Sequence, residues 1–284
     1  MSALRIAREG FTISNASGEP MHGDLRYAAG VHDAPTIVIC HSFMAFKDWG
    51  FFPYIGEKLA TAGFVSVAFN FSYNGVTNHE NRITDFVKFE QNTFHREFSD
   101  LSCVIDAISR EEIGPSKIDS KRIALLGHSR GGGIAILHAA LDRRVRALVT
   151  WSAISTFDRW TDHQKERWRS LGYLPLAKDT TTSPLRLGLN LLKDYEQHAE
   201  ELSIIGAARR VRVPWLIVHG DADLTVQRKE AESLYQAADH ETAELMLVDS
   251  VGHLYNASSQ AEDAYRTLDF ILERTTDWLH RHLS

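Results

Sequence analysis

Short apolar runs alternate with longer stretches of helical spacing along most of the chain. The runs are apolar almost throughout, which is typical of parallel strands that are buried on both faces. Ahead of them, residues 4–28 predict two or three short strands with a turn at Ser17–Pro20, hence a hairpin or a meander. The later strands are expected at Thr36–Cys40, Phe64–Phe69, Arg122–Leu126, Val145–Trp151, Trp215–Val218 and Ala243–Val248.

The stretches between these runs carry apolar residues three and four positions apart, which predicts amphipathic helices. They lie at Tyr54–Ala62, Glu97–Arg110, Ile134–Leu141, Gln227–Ala238 and Ala261–Leu283. Alternating strands and helices indicate an α/β architecture with right-handed crossovers, a mostly parallel central sheet and helices on its faces.

One segment interrupts the alternation. About 60 residues between Trp151 and Pro214 contain no convincing strand, and a structureless loop of that length would be unusual. We therefore expect residues 153–206 to form a helical cap inserted into a single domain that spans 1–284. Its helical pieces are expected at Asp158–Leu171, Leu185–Leu192 and Tyr195–Leu202, with a polar turn at Lys178–Pro184.

Composition narrows the class of protein. The 284 residues include 31 Lys and Arg against 37 Asp and Glu, and the formal net charge of −6 argues against a nucleic-acid partner. Apolar runs fall far short of the roughly 20 residues of a membrane span, and the N-terminus has no secretory h-region. Cys40 and Cys103 are too few for a disulfide framework and are interpreted as buried thiols, so a cytoplasmic protein is the simplest expectation. The sequence offers no argument about the oligomeric state.

The strongest chemical signal is the G-x-S-x-G pattern of Gly127–Gly131. It follows a predicted strand and precedes a helix, the context in which a sharp turn lifts the serine hydroxyl above the sheet edge. Glycines on either side avoid the collisions that such a turn would cause. Ser129 is therefore the predicted nucleophile.

A serine nucleophile needs a base, and the base needs an orienting carboxylate, in the chain order Ser, Asp or Glu, His. Asp221 and Asp223 both follow the strand that ends near Val218, and we prefer Asp223 because the turn at His219–Gly220 would aim it back over the sheet. The predicted base is His253, which follows the next strand. Gly252 was expected to give it backbone freedom.

The oxyanion of a tetrahedral intermediate needs two N–H donors. The backbone N–H of Arg130, directly after the nucleophile, is one candidate. The other is the backbone N–H of Phe43, in the loop after the first parallel strand.

These motifs resemble the α/β-hydrolase fold serine esterases, in particular small bacterial carboxylesterases of the cinnamoyl or feruloyl esterase-like group and acyl-peptidase-like relatives. The similarity covers residues of about 30–152 and 210–284, and the predicted cap is not diagnostic. The resemblance implies no metal and no organic cofactor, in agreement with a sequence that has neither zinc-type spacing nor a Walker-type loop. Ser42 departs from the usual His-Gly-Phe pattern; its side chain would either narrow the oxyanion hole or add a donor.

The substrate pocket is expected between the strand ends and the cap. Candidate lining residues are Ser42, Met44, Trp151, Trp160 and Trp168. They favour a neutral, partly apolar ester with a short to medium or aryl acyl group. Arg130 and Lys47 are isolated cations that we expect to be solvated or salt-bridged.

Three function classes remain open at this point. A carboxylic ester hydrolase is favoured. An aminopeptidase or acyl-peptide hydrolase would use the same triad, but many such enzymes carry a large extra domain. A non-catalytic binding protein of the same fold would have no need of all three triad residues. Dehalogenases and epoxide hydrolases place Asp at the elbow, where this chain has Ser129.

Overall fold

The computed structural model describes residues 5–77, 81–176, 185–257 and 265–283. Its strands are β1 (Ile6–Ser14), β2 (Pro20–Ala28), β3 (Ala34–Cys40), β4 (Val65–Phe69), β5 (Ile118–His128), β6 (Val145–Trp151), β7 (Tyr173–Pro175), β8 (Arg186–Gly188), β9 (Trp215–Gly220) and β10 (Ala243–Val248). Its helices are α1 (Phe52–Thr61), α2 (Phe86–Glu90), α3 (Phe94–Ser109), α4 (Arg130–Ala139), α5 (Asp162–Leu171), α6 (Leu189–Gln197), α7 (Ile204–Ala208), α8 (Arg228–Ala237) and α9 (Arg266–Leu283).

Eight of the strands form one sheet in the order β1-β2-β4-β3-β5-β6-β9-β10. From β4 to β10 every neighbouring pair is parallel, whereas β2 is antiparallel to both β1 and β4. The predicted N-terminal hairpin and mostly parallel sheet are both confirmed. In a parallel sheet the carboxyl ends of the strands share one edge, so the loops after β3, β5, β9 and β10 meet there.

Alternate residues of the central strands serve two separate cores. In β3, Val38 and Cys40 pack on the face covered by α3 and α4, whereas Ile37 and Ile39 pack on the face covered by α1 and α9. This period of two explains why a central strand such as β3 is apolar almost throughout, because both of its faces are buried.

The inserted segment differs from its sequence prediction. Two three-residue strands, β7 and β8, pair antiparallel where no strand was expected. The helix predicted at Leu185–Leu192 is β8 followed by α6, and the helix predicted at Tyr195–Leu202 is the end of α6 followed by turns. The polar turn at Lys178–Pro184 lies outside the described residues.

The two cysteines are both free thiols. Cys40 is buried, and burial raises the pKa of its thiol far above the ordinary value. Cys103 is only partly buried, which corrects the expectation that both are core residues.

Candidate active site

Ser129 lies at the sharp turn between β5 and α4. Its backbone has φ 55° and ψ −119°, a strained conformation for a residue with a side chain, and its N–H donates to the carbonyl of Trp151 at 3.0 Å. A Cβ at Gly131 would lie 2.3 Å from the carbonyl oxygen of Cys40, and one at Gly127 would lie 2.5 Å from that of Gly131. Both glycines are therefore sterically required, because the turn is held against backbone on each side.

Asp223 and His253 are joined by a hydrogen bond across the loops after β9 and β10. The Nδ1–H of His253 donates to Oδ2 of Asp223 at 2.7 Å, and Oδ1 of Asp223 accepts the backbone N–H groups of Thr225 and Val226, each at 2.9 Å. Burial alone would raise the pKa of Asp223, but the bond from His253 and the backbone N–H groups outweigh it and lower that pKa. A buried carboxylate with three donors is thus anionic at neutral pH.

Asp221, the other carboxylate considered from the sequence, points elsewhere. It is exposed, and its Oδ1 accepts the backbone N–H of Ser250 at 2.6 Å. The backbone of the same loop is joined to the His253 loop by the N–H of Ala222, which donates to the carbonyl of Val251 at 3.1 Å. Gly220 lies under this contact: a Cβ there would sit 2.1 Å from the Val251 oxygen.

Gly252 does not have the role that the sequence suggested. A Cβ at this position would meet nothing within 4 Å, and its φ lies outside the left-handed region. The glycine that the His253 loop requires is Gly220, which is more than 30 residues earlier in the chain.

Two buried histidines that the sequence analysis passed over hold these loops in place. The Nε2–H of His128 donates to the carbonyl of His253 at 3.0 Å, and the Nε2–H of His219 donates to that of Val226 at 2.8 Å. Burial lowers the pKa of both rings, that of His128 to about 3, so both are neutral. Each histidine lies within the last two residues of a strand, next to a loop that carries a predicted site residue. That position in the sequence is the signal that could have identified them.

The loop after β3 is fixed by a third neutral histidine. His41 donates from Nδ1 to the carbonyl of Ser42 at 2.9 Å and accepts the backbone N–H of Phe71 on Nε2 at 3.2 Å. Burial lowers the pKa of His41 to about 4. The ring therefore ties the loop that carries Ser42 and Phe43 to the loop after β4.

Arg130 is ion-paired, as expected from the sequence. Its guanidinium hydrogen-bonds to Glu97, which lies buried on α3 and also accepts from Asn92 at 2.7 Å. The guanidinium also lies 4.3 Å from the ring centroid of Phe43 and 5.6 Å from that of Phe94. One side chain thus braces both segments whose backbone N–H groups were predicted to bind an oxyanion. Lys47 is ion-paired as well, with Asp24 and Asp48.

A cavity of about 330 Å³ opens over Ser129 and His253. The predicted lining residues Ser42 and Trp160 lie along its wall, together with Phe43 and Arg130. The remaining walls are formed by Trp49, Phe94, Ile154, Phe157, Arg159, Leu176, Leu187, Thr225, Val226 and Leu254.

Three residues predicted to line the pocket lie elsewhere. Trp151 follows the period of β6 onto the opposite face of the sheet, where it packs edge-on against Tyr255 with ring centroids 5.3 Å apart. Trp168 is fully buried in the core beneath Trp160. Met44 is 43% exposed at a positive φ of 59°, which turns its side chain toward solvent.

Within the described residues, no helix is both long and apolar enough to cross a bilayer.

Comparison with known proteins agrees with this fold. The model of the alpha/beta hydrolase family matches residues 37–267, and the chain therefore belongs to that family. Among curated proteins it is 30% identical over 137 residues to the uncharacterized protein YcjY of Escherichia coli K12, an alignment that covers 46% of this chain. The chain spans only 40% of the length of that relative.

Solved structures resemble the chain over nearly its whole length. The alpha/beta hydrolase GrgF from Penicillium sp. sh18 has a TM-score of 0.76 at 18% identity, covering 98% of this chain and 99% of GrgF. The esterase domain of a Rhodothermus marinus protein has a TM-score of 0.65 at 22% identity, covering 98% and 100%. Est1E from Butyrivibrio proteoclasticus, solved with ferulic acid bound, has a TM-score of 0.70 at 17% identity, covering 96% and 98%. At these identities the likeness establishes the fold.

Proposed function

We propose that this protein is a serine carboxylic ester hydrolase that works through a Ser129–His253–Asp223 triad and an acyl-enzyme intermediate. The observation that carries the proposal is the 2.7 Å bond between His253 and a buried, anionic Asp223, in the cavity where Ser129 stands on its strained turn. Both features are ones that the activation of a serine hydroxyl requires, and they support the proposal.

The proton path follows from the tautomer of His253. Because Nδ1–H donates to Asp223, Nε2 carries the lone pair and can take the Ser129 proton as Oγ attacks the ester carbonyl. The tetrahedral intermediate collapses as His253 returns that proton to the departing alcohol. Water then attacks the acyl-enzyme and gives one proton to Nε2. His253 returns that proton to Oγ of Ser129 as the second tetrahedral intermediate collapses, which releases the acid and restores Ser129.

The backbone N–H groups of Phe43 and Arg130 are the proposed oxyanion donors. Arg130 is the first residue of α4, so its N–H lies at the positive end of the helix dipole. Removal of one such donor typically costs about 10² to 10³ in kcat. The Arg130 side chain pairs with Glu97 and stacks on the ring of Phe43. These contacts support a fixed position for the backbone N–H groups of Phe43 and Arg130.

The cavity walls favour a neutral acyl group with aromatic or short apolar character. Five aromatic side chains line it (Phe43, Trp49, Phe94, Phe157 and Trp160). Its volume is at the lower end of the range typical of ligand pockets, roughly 300–1,000 Å³, which favours short to medium acyl chains or a single ring. Solved relatives include an esterase domain and a ferulic acid complex, and these fit the same substrate class.

We further propose that residues 153–206 act as a cap on a single 1–284 domain. Ile154, Phe157, Arg159, Trp160, Leu176 and Leu187 all come from this segment and line the cavity. The free thiols of Cys40 and Cys103 are consistent with a cytoplasmic location, which we include in the proposal.

The amide-cleaving alternative receives less support. A peptidase would hold a charged substrate terminus, and the cavity has two cations that could do so, Arg130 and Arg159. Arg130 is paired with Glu97, and Arg159 donates to Glu230 at 2.8 Å, so both charges are already neutralised.

The test is hydrolysis of p-nitrophenyl esters from acetate to palmitate, with a p-nitroanilide and methyl ferulate alongside, by wild type and Ser129→Ala. We expect cleavage of short or aryl esters by wild type and a loss of several orders of magnitude in the variant. Cleavage of amides alone would favour the peptidase alternative, and equal inactivity of both proteins would favour a non-catalytic binding protein.

A further inference from the structure

Four titratable side chains meet away from the cavity, where α3 contacts the inserted segment. His95 lies in the first turn of α3, Asp194 lies in the last turn of α6, His198 directly follows that helix, and Glu201 lies in the turn after it. Ligand atoms of His95, Asp194 and His198 all lie within 4.8 Å of one another. The proposed esterase mechanism uses none of the four.

Asp194 holds His95 through both carboxylate oxygens. Oδ1 accepts from Nδ1 of the ring at 3.0 Å, and Oδ2 accepts the backbone N–H of His95 at 3.2 Å. With Nδ1 as a donor, a neutral His95 has its lone pair on Nε2. This is the arrangement in which a carboxylate orients a metal-binding histidine.

The lone pair on Nε2 of His95 lies close to other atoms that can bind a metal ion. Nε2 of His95 lies 3.2 Å from Oε2 of Glu201, and Nδ1 of His198 lies 3.6 Å from the same oxygen. The two imidazole rings are 4.2 Å apart. A carboxylate oxygen and a ring-nitrogen lone pair this close repel one another unless a proton or a metal ion lies between them.

The distances from Oε2 of Glu201 to the two ring nitrogens, 3.2 and 3.6 Å, are close to those between neighbouring ligands of a tetrahedral zinc ion. Zinc–nitrogen and zinc–oxygen bonds of about 2.0–2.2 Å at tetrahedral angles place neighbouring ligand atoms roughly 3.3–3.6 Å apart. Two imidazoles and one carboxylate favour zinc over calcium or magnesium, which take oxygen ligands.

We propose a zinc site formed by Nε2 of His95, Nδ1 of His198 and Oε2 of Glu201, with Asp194 as the group that orients His95. Three protein ligands leave the fourth position for water. The ion joins α3 to the segment that lines the cavity, so it acts as a clamp on that segment and takes no part in ester cleavage.

The experiment is a calorimetric titration of chelator-treated full-length protein with zinc chloride. We expect one zinc per chain, an affinity at least tenfold weaker in His198→Ala and Glu201→Gln, and a loss of about 10- to 100-fold in Asp194→Asn. The His198 and Glu201 side chains are 40% and 72% exposed, so their variants should fold.

Two control variants locate the ion. His163→Ala removes an exposed histidine of the same segment, and His253→Ala removes the histidine over the cavity; each should retain the zinc. Zinc at about 100 times its wild-type dissociation constant should raise the Tm of wild type by roughly 5 °C and that of His198→Ala by no more than about half as much.

The proposal is overturned if wild type takes up no zinc. It is also overturned if His198→Ala and Glu201→Gln bind zinc as tightly as wild type. Neither result depends on esterase activity, so failure here and failure of the proposed function are distinguishable.

Discussion

The contact between Gly220 and Val251 controls the position of the proposed base. A methyl group at Gly220 would lie 2.1 Å from the Val251 carbonyl oxygen, whereas ordinary contact begins at 3.4 Å. The obstacle is backbone and cannot rotate away. Gly220→Ala must therefore move the two loops apart by roughly 1 Å, and displacement of that size costs about 100-fold in rate.

The matched control is Gly252→Ala, one residue before His253. This alanine has open space and an ordinary backbone conformation. We expect Gly220→Ala to lose about 100-fold in kcat/KM on p-nitrophenyl acetate and about 1–3 kcal/mol in the free energy of unfolding. Gly252→Ala should stay within threefold in kcat/KM and within about 0.5 kcal/mol in stability.

The assay pairs initial rates with urea denaturation of both variants. Circular dichroism at the assay temperature checks that Gly220→Ala is folded, so that lost activity reports loop geometry. Equal activity of the two variants would refute the argument that Gly220 sets the distance between Asp223 and His253.

Three further predictions concern the choice of Asp223, the buried histidines and the pairing of Glu97 with Arg130. Asp223→Asn should lower kcat by about 10⁴ through loss of the correct tautomer of His253, whereas Asp221→Asn should change it less than tenfold; comparable losses would contradict the choice of Asp223. The free energy of unfolding, measured with urea, should fall as the pH drops from 6.5 toward 4. In the folded protein the pKa values of His41 and His128 are about 4 and about 3, so both rings stay neutral over most of this window. In the unfolded chain the same histidines bind protons as the pH drops, and this favours unfolding. Each ring contributes up to about 1.4 kcal/mol per pH unit. Asp100, whose pKa burial raises to about 6, contributes with the opposite sign and reduces the net slope. A free energy of unfolding that rises as the pH drops over this window would contradict the burial of the two rings in the neutral form. Glu97→Ala leaves the half-buried Arg130 guanidinium without its carboxylate and should cost about 3 kcal/mol by the same denaturation, the lower end of the range for a buried pair; a loss under about 1 kcal/mol would show that the pair is solvated.

Much of the fold follows from local pattern. β6 and β10 have the bounds that their apolar runs predict, although each contains one exposed charged residue, Arg146 in β6 and Glu244 in β10. α3 begins three residues before its predicted start, where the hydroxyl of Thr93 accepts the N–H of Arg96 at 3.2 Å as a helix cap. β7, β8, α2 and α7 were missed because elements of three to five residues are too short to show a period.

Several contacts in the candidate active site could not be predicted from the sequence. Trp151 could have been assigned to the opposite face from its parity with Val149, since both occupy the same side of β6. The pairing of Arg130 with Glu97 and the clash behind Gly220 join residues about 30 positions apart in the chain, and no local pattern encodes such contacts. The choice between Asp221 and Asp223 likewise required the positions of Ser250 and His253.

The most direct test of the proposed triad is covalent labelling. Wild type is incubated with a fluorophosphonate, and the intact mass and peptide map are recorded beside those of Ser129→Ala and His253→Ala. The account predicts one adduct on Ser129, none in Ser129→Ala and greatly slowed labelling in His253→Ala, because the serine then lacks its base. No adduct on wild type, or an adduct on another residue, would contradict it.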